Sequence, residues 1–200
     1  MCVIETSPVI ETRRLALRAP GAHDVSRIAQ LGGDPDIARM TCRMPTPFRT
    51  EDAEAFVMNV AMQDPRRANT FVIEHEDHGP VGVLGLFHDS TREPDSRHRW
   101  NRAAFPPQPI RLDDQAPEMG YWIGKPFWGR GLATEAAQGA LAWARGRWSK
   151  KAVVAGHFAD NPASGRVLEK AGFLYTGETR RQFSRARQAE VDTRMMLWLA

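Results

Sequence analysis

The sequence has few cysteines, no long apolar run and little net charge, and each shortage excludes a class of protein. Its two cysteines, Cys2 and Cys42, are too few for a disulfide framework or a structural zinc cluster, so we expect ordinary thiols. No stretch approaches the roughly 20 consecutive apolar residues that a membrane span requires. The 27 basic residues nearly balance the 24 acidic ones, giving a net charge of +3, so a nucleic-acid-binding surface is not indicated.

What remains is the composition of an ordinary soluble globular protein, with 42% hydrophobic and 26% charged residues. A chain of 200 residues fits one domain, which we expect to cover residues 1–200 as a monomer or a homodimer. The first residues lack the basic start, apolar stretch and cleavage site of a secretory signal, so we expect a cytoplasmic protein. The 6 histidines have no metal-ligand spacing, and no metal is expected.

Hydrophobic periodicity predicts a chain of mixed strands and helices. Apolar spacings of three and four residues predict helices after Asp24, after Thr50, which is the expected N-cap, and after Gly131. Asn161 is the expected N-cap of a further short helix, which Gly172 ends. Alternation of apolar residues, or a short apolar run, predicts strands at 14–19, 71–75, 81–87, 118–123, 152–158, 173–183 and 192–199.

Between residues 88 and 117 this periodicity disappears into a polar stretch rich in Pro, Arg and Asp. A connection of that length inside a compact domain is usually either functional or mobile. Two interpretations stay open, a lid over a binding site and an insertion without a role.

Residues 128–136, Trp-Gly-Arg-Gly-Leu-Ala-Thr-Glu-Ala, have the pattern of an anion-binding turn. Gly129 and Gly131 lie between a predicted strand and a helix, whose first amide N–H groups have no carbonyl partners. Arg130 adds a positive charge suited to a pyrophosphate. The P-loop pattern is absent, and Thr134 stands where a dinucleotide-binding fingerprint has its third glycine. A turn without a ligand remains the alternative, because glycines often occur in simple turns.

Several segments, in order, resemble the GNAT N-acetyltransferase superfamily: residues 118–123, 128–136 and 161–173. The N-terminal segment Glu-Thr-Arg-Arg-Leu at 11–15 and the sequence of the glycine turn resemble its RimJ/RimL-like branch, which includes ribosomal-protein N-terminal acetyltransferases. The resemblance covers nearly the whole chain except residues 88–117. It implies an α+β fold, with a mixed, mostly antiparallel central sheet of about seven strands flanked by helices. Two central strands of that sheet would splay apart to admit acetyl-CoA.

The resemblance also implies where acetyl-CoA binds, namely between strands 118–123 and 152–158. The pantetheine arm would run along the strand that ends at Ile123, and Asn161 would bind the cofactor, cap its helix or do both. Trp128 stands where the superfamily pattern has Gln or Arg, which favours a packing role for its side chain. The cofactor-binding residues implied in the turn are Trp128, Gly129, Arg130, Gly131, Leu132, Ala133 and Thr134.

Two residues are implied as catalytic in a transfer of the acetyl group to a primary amine, by direct attack in a ternary complex. Glu118 would be the general base and Ser164 the proton donor, since Leu168 stands where many members have a catalytic tyrosine. A solvated strand-end carboxylate and a serine that lines a helix start are the alternatives. His157, on an apolar strand, is expected to be a satisfied core or edge histidine.

The acceptor amine stays open between a protein N-terminus and small-molecule amines, and no membrane partner is expected. Without the family tyrosine, a second function also stays open: a non-catalytic acyl-CoA-binding sensor or interaction module of the same fold. A nucleic-acid-binding module would need a concentrated positive face, and the balanced charge makes nucleic acid an unlikely partner.

Overall fold

The structure is a computed structural model that describes residues 8–88 and 116–200. The predicted polar connection at 88–117 lies almost entirely outside the described residues, as does Cys2. The strands are β1 (Ile10–Glu11), β2 (Leu15–Arg18), β3 (Ala68–His75), β4 (Gly79–Phe87), β5 (Glu118–Ile123), β6 (Ala152–Phe158), β7 (Leu174–Ser184) and β8 (Ala189–Leu199). The α-helices are α1 (Val25–Gly32), α2 (Pro35–Ala38), α3 (Thr50–Ala61), α4 (Leu132–Gly146) and α5 (Pro162–Ala171).

The strands form an 8-stranded sheet in the order β1-β2-β3-β4-β5-β6-β8-β7. Every neighbouring pair is antiparallel except β5 and β6, which are parallel. The predicted mixed, mostly antiparallel sheet with flanking helices is therefore confirmed. The strand missing from the prediction is β1, whose two residues pair with Leu17 and Ala16. A strand of two residues is too short to show a hydrophobic period.

Apolar layers cover the sheet on both faces. On one face, small buried residues of α4, among them Ala136 and Ala140, let the helix approach the strands closely and pack with Phe71 and Leu84. On the other face, α1 and α3 pack on β3 through Ile28, Ala53, Val57 and Val72. No helix in the described ranges has both the length and the apolar character to cross a bilayer.

The helix ends follow local capping chemistry. The expected N-cap and end of α5 are confirmed, since Asn161 Oδ1 accepts the Ser164 N–H at 3.2 Å and Gly172 has a φ of 100°. The expected Thr50 N-cap is wrong by one residue. Arg49 is the N-cap of α3, and its N–H donates to Asp52 at 2.9 Å.

The parallel pair opens soon after it begins. β5 and β6 are in register only at Glu118↔Val154 and Met119↔Ala155. By contrast, β4 follows β5 up to Ile123, and β8 follows β6 up to Phe158. The two central strands therefore diverge from Gly120 onward and leave an opening in the sheet, as the resemblance implies.

Candidate active site

The turn after β5 lies at the foot of this opening. A 3-10 turn, Lys125–Phe127, leads from β5 to Trp128, and α4 begins four residues beyond Trp128. Gly129 and Gly131 have φ values of 74° and 76°, in the left-handed region that side chains rarely adopt. A Cβ at Gly129 would meet nothing within 4 Å, so the dihedral angle, not crowding, requires glycine there.

The first turn of α4 has backbone N–H groups without intrahelical partners. Its N-cap, Gly131, has no side chain, and in the described part of the chain no side chain caps this helix start. The macrodipole adds about 0.3–1 kcal/mol for an anion at such a site. Arg130 is exposed and places its guanidinium carbon 5.6 Å from the Phe127 ring centroid. Leu132 is buried, whereas Ala133 and Thr134 are half-buried.

Trp128 ties this turn to the end of β5. Its indole Nε1–H donates to the carbonyl oxygen of Ile123 at 2.6 Å, and its side chain is 48% exposed. Packing is therefore not its whole role, because the indole also fixes the backbone where the pantetheine arm is expected. The Ile123 side chain is buried in the core, and its carbonyl oxygen is the acceptor of the Trp128 bond.

A pair of hydroxyl groups bridges β5 and the start of α5. The Tyr121 hydroxyl lies 2.9 Å from Ser164 Oγ, and it can donate to the Ser164 carbonyl oxygen at 3.1 Å. Burial raises the pKa of Tyr121 to about 12 although the Ser164 hydrogen bond opposes the shift, so its hydroxyl stays protonated. Tyr121 is not among the site residues predicted from the sequence. Its only signal was membership of the strand at 118–123, because the contact joins residues 43 positions apart.

Glu118 projects from the opposite face of the sheet. It is the first residue of β5 and is half-buried, and alternation along the strand places its side chain on the face of Trp122, away from Tyr121. Trp122 packs against the layer of α1 and α3. Cys42 lies on this side as well: burial, with the nearby Glu118 charge adding to it, raises the pKa of the Cys42 thiol to about 11. The two predicted catalytic residues therefore lie on opposite sides of the sheet, with Glu118 at the closed end of the opening, where β5 still pairs with β6.

The β7–β8 hairpin contacts the segment that contains Cys42, on the Glu118 side of the sheet. The Cys42 thiol donates to Gln182 Oε1 at 3.4 Å, and the Cys42 carbonyl oxygen accepts the Arg185 N–H at 2.9 Å. The Ser184 hydroxyl donates to the Thr41 carbonyl oxygen at 3.3 Å. These bonds hold the hairpin against the segment that precedes α3.

The other chemistry-bearing residues near the opening are structural. His157 is buried, with Nδ1 2.9 Å from the Phe158 carbonyl oxygen and Nε2 3.0 Å from the Tyr175 hydroxyl, so the expected satisfied histidine is confirmed. Leu168 stands at the position where the resemblance implies a catalytic tyrosine in many family members, and its side chain is fully buried in the core. Within residues 8–88 and 116–200, no group of three or more His, Cys, Asp or Glu is placed to hold a metal ion.

Several solved structures share this fold. RimJ from Mycobacterium smegmatis, in complex with CoA-disulfide, has a TM-score of 0.74 and 16% identity, over 96% of this chain and 88% of that chain. An acetyltransferase from Salmonella typhimurium that modifies the N-terminal serine of a 50S ribosomal subunit protein has a TM-score of 0.72 and 19% identity, over 96% and 99%. Spermidine N-acetyltransferase from Vibrio cholerae, in complex with CoA and spermine, has a TM-score of 0.68 and 17% identity, over 94% and 96%.

The sequence comparisons establish the family. No curated protein matches the sequence. The family model described as the Acetyltransferase (GNAT) domain matches residues 14–174, from the residue before β2 to the first residue of β7. This range contains the splayed strands, the glycine turn and the start of α5. The predicted family and enzyme class are thus confirmed, the neighbours include the RimJ-type protein that the resemblance names, and the chain belongs to the GNAT acetyltransferase family.

Proposed function

We propose that this protein is an acetyl-CoA-dependent N-acetyltransferase that acetylates a primary amine, a protein N-terminus or a small-molecule amine, by direct attack in a ternary complex. The observation that carries the proposal is the opening between β5 and β6, which has an uncapped helix start at its foot. A flexible, thioester-bearing chain can lie in such an opening while the N–H groups of the turn bind its anionic end.

Acetyl-CoA as the donor is supported by the fit of the turn and by CoA in the complexes of RimJ and spermidine N-acetyltransferase. In this proposal the backbone of residues 129–134 binds the pyrophosphate, and Arg130 adds its charge. The exposed strand edge near Ile123 takes the pantetheine arm. Asn161 uses its Oδ1 for the helix cap, which leaves its amide NH₂ group for the cofactor.

Glu118 is proposed to act as the general base through a water molecule. An α-amine with a pKa of about 7.7–8 is roughly a tenth neutral at pH 7, and its deprotonation costs about 1.4 kcal/mol; a lysine amine costs over about 4 kcal/mol. A single half-buried carboxylate suffices for the first amine. The smaller cost of deprotonation favours a protein N-terminus as the acceptor, and the Salmonella neighbour modifies the N-terminal serine of a ribosomal protein.

The opposite placement of Glu118 and Ser164 supports direct attack. The amine reaches the thioester carbon from the side of α1 and α3, where Glu118 removes its proton. The C–S bond breaks toward the side of α5, where the Ser164 hydroxyl donates a hydrogen bond to the leaving sulfur, and the released thiolate takes its proton from water. Neither step needs an acyl group on the enzyme, since both substrates are present together.

Release of free thiol tests the proposal. Purified protein is mixed with acetyl-CoA and a panel that includes an N-terminal serine peptide, a lysine peptide and a polyamine. We expect thiol release that depends on one class of amine, together with a product heavier by one acetyl group. Binding of CoA by calorimetry without turnover on any amine would overturn the enzyme and support the non-catalytic acyl-CoA sensor.

A further inference from the structure

We propose that Tyr121 is a positioning residue of this active site: its hydroxyl orients that of Ser164 so that the serine hydrogen points into the opening between β5 and β6. The inference rests on the function proposed above and deepens it. Its basis is the pair of contacts from one hydroxyl to one residue, 2.9 Å to Ser164 Oγ and 3.1 Å to the Ser164 carbonyl oxygen.

The number of hydrogens limits how this pair can bond. Tyr121 has one hydroxyl hydrogen. If it goes to the Ser164 carbonyl oxygen, then Ser164 donates its own hydrogen to Tyr121 and has none for a ligand. If it goes to Ser164 Oγ, then the serine hydrogen is free to donate to a sulfur in the opening. Both arrangements use the same heavy-atom positions, so rotation of two O–H bonds suffices to pass from one to the other.

Both hydroxyls of this pair act on the sulfur by hydrogen bonding and not by proton transfer, because a serine hydroxyl is a still weaker acid than Tyr121. The Tyr121 pKa of about 12 lies far above the value of about 8.5 for an ordinary thiol, so proton transfer from tyrosine to a thiolate is uphill by more than three pKa units. The tyrosine therefore remains neutral during turnover. What it supplies is a fixed hydrogen-bond donor that orients Ser164.

The chain offers a matched control, because it contains only two tyrosines. The other one, Tyr175, also lies beside the first turn of α5, near Gly165, but its hydroxyl bonds to His157 Nε2 at 3.0 Å. Changing either tyrosine to phenylalanine removes one hydroxyl and keeps the ring. Only the change at position 121 removes a partner of Ser164.

The test compares Tyr121→Phe, Tyr175→Phe, Ser164→Ala and the double variant Y121F/S164A with the unchanged protein. With the acceptor that gives the fastest turnover, we expect Tyr121→Phe to lower kcat about tenfold with KM for acetyl-CoA within about twofold, and Tyr175→Phe to leave kcat unchanged. In the Ser164→Ala background, loss of the Tyr121 hydroxyl should have no further effect. A kcat for Tyr121→Phe equal to that of the unchanged protein, or two effects that multiply, would overturn the inference.

A second readout does not depend on finding the acceptor. The ultraviolet absorbance of the thiolate gives the pKa of the CoA thiol in the bound state. A hydrogen bond from Ser164 to the thiolate lowers that pKa, so it should rise in Tyr121→Phe and stay constant in Tyr175→Phe. If no amine is acetylated but the thiol pKa shifts in Tyr121→Phe, only the proposed enzymatic function is refuted. If an amine is acetylated but the thiol pKa does not shift, only the role of Tyr121 is refuted. Thermal melting confirms that each variant is folded.

Discussion

Glu135 in the first turn of α4 accepts the backbone N–H of Arg14 at 2.7 Å. The same carboxylate accepts Arg14 Nε at 2.8 Å and the Thr12 hydroxyl at 2.8 Å. Arg14 Nη2 also donates to the carbonyl oxygen of Arg130 at 3.3 Å, within the glycine turn. Residues 11–15 and residues 128–136, which together resemble the RimJ/RimL-like branch, therefore contact each other directly.

Changing Glu135 to Gln should lower the free energy of unfolding by about 1.5–3 kcal/mol at neutral pH, because charge-assisted hydrogen bonds are lost. Burial opposes ionisation, yet the hydrogen bonds from Thr12 and Arg14 outweigh it and hold the pKa of Glu135 below its usual value. Stability from a lowered carboxyl pKa is complete above the unfolded-state pKa and disappears as the pH falls through the folded-state pKa.

Urea denaturation at neutral and at acidic pH measures this difference. The gap between the two proteins should narrow as the pH falls below about 4.5, the ordinary range of a glutamate. Exposed Glu169 on α5 is the control, and its change to Gln should alter stability by less than about 0.5 kcal/mol. A gap of constant size at every pH would contradict the assigned role of Glu135.

Replacing Gly129 or Gly131 with Ala should weaken CoA binding and cost about 1–2 kcal/mol of stability, since both residues have left-handed φ angles. Gly146 is the matched control, because a Cβ there meets nothing within 4 Å and its φ is not positive. Its change to Ala should leave CoA binding unaltered and should raise the free energy of unfolding by up to about 1 kcal/mol. Calorimetry with CoA and thermal melting separate the two effects; unchanged affinity in both turn variants would remove the turn as the binding site.

Replacing Arg130 with Ala should raise the Kd for CoA about tenfold and reduce its dependence on salt, because a charge beside the pyrophosphate is lost. The carbonyl oxygen at this position, which Arg14 contacts, is retained, so we expect little change in melting temperature. Arg145, exposed in the last turn of α4, is the control. An equal loss of affinity in both variants would indicate a general effect of charge.

Replacing Glu118 with Gln should lower turnover about a hundredfold while CoA affinity stays constant, as expected for a general base that does not bind the donor. Steady-state rates across pH, with CoA affinity from calorimetry, provide the measurement. Changing exposed Glu54 of α3 to Gln provides the comparison. Unchanged turnover and pH dependence would remove Glu118 from this role.

Much of the fold could be predicted because its signals are local. Each of three signals lies within one short stretch of consecutive residues: the strand before Trp128, the glycines of the turn and the cap at Asn161. The four-residue α2 and the two-residue β1 were missed because neither is long enough to show a period.

The chemistry of the site was less predictable, since it depends on contacts between distant residues. The contact between Tyr121 and Ser164 crosses from a strand to a helix, and the place of Cys42 beside Glu118 depends on a segment before α3. Local patterns identify such residues one at a time. They do not tell which of them meet.

The parallel pairing of β5 and β6 has a topological consequence. Parallel neighbours require a crossover connection, and here that connection contains α4. A single β–α–β unit thus generates both the breach in the hydrogen-bonded sheet and the dipole that faces it. The elements on the Glu118 side of the sheet, α1, α3 and the β7–β8 hairpin, come from other parts of the chain, so the two sides of the breach are built from separate stretches of sequence.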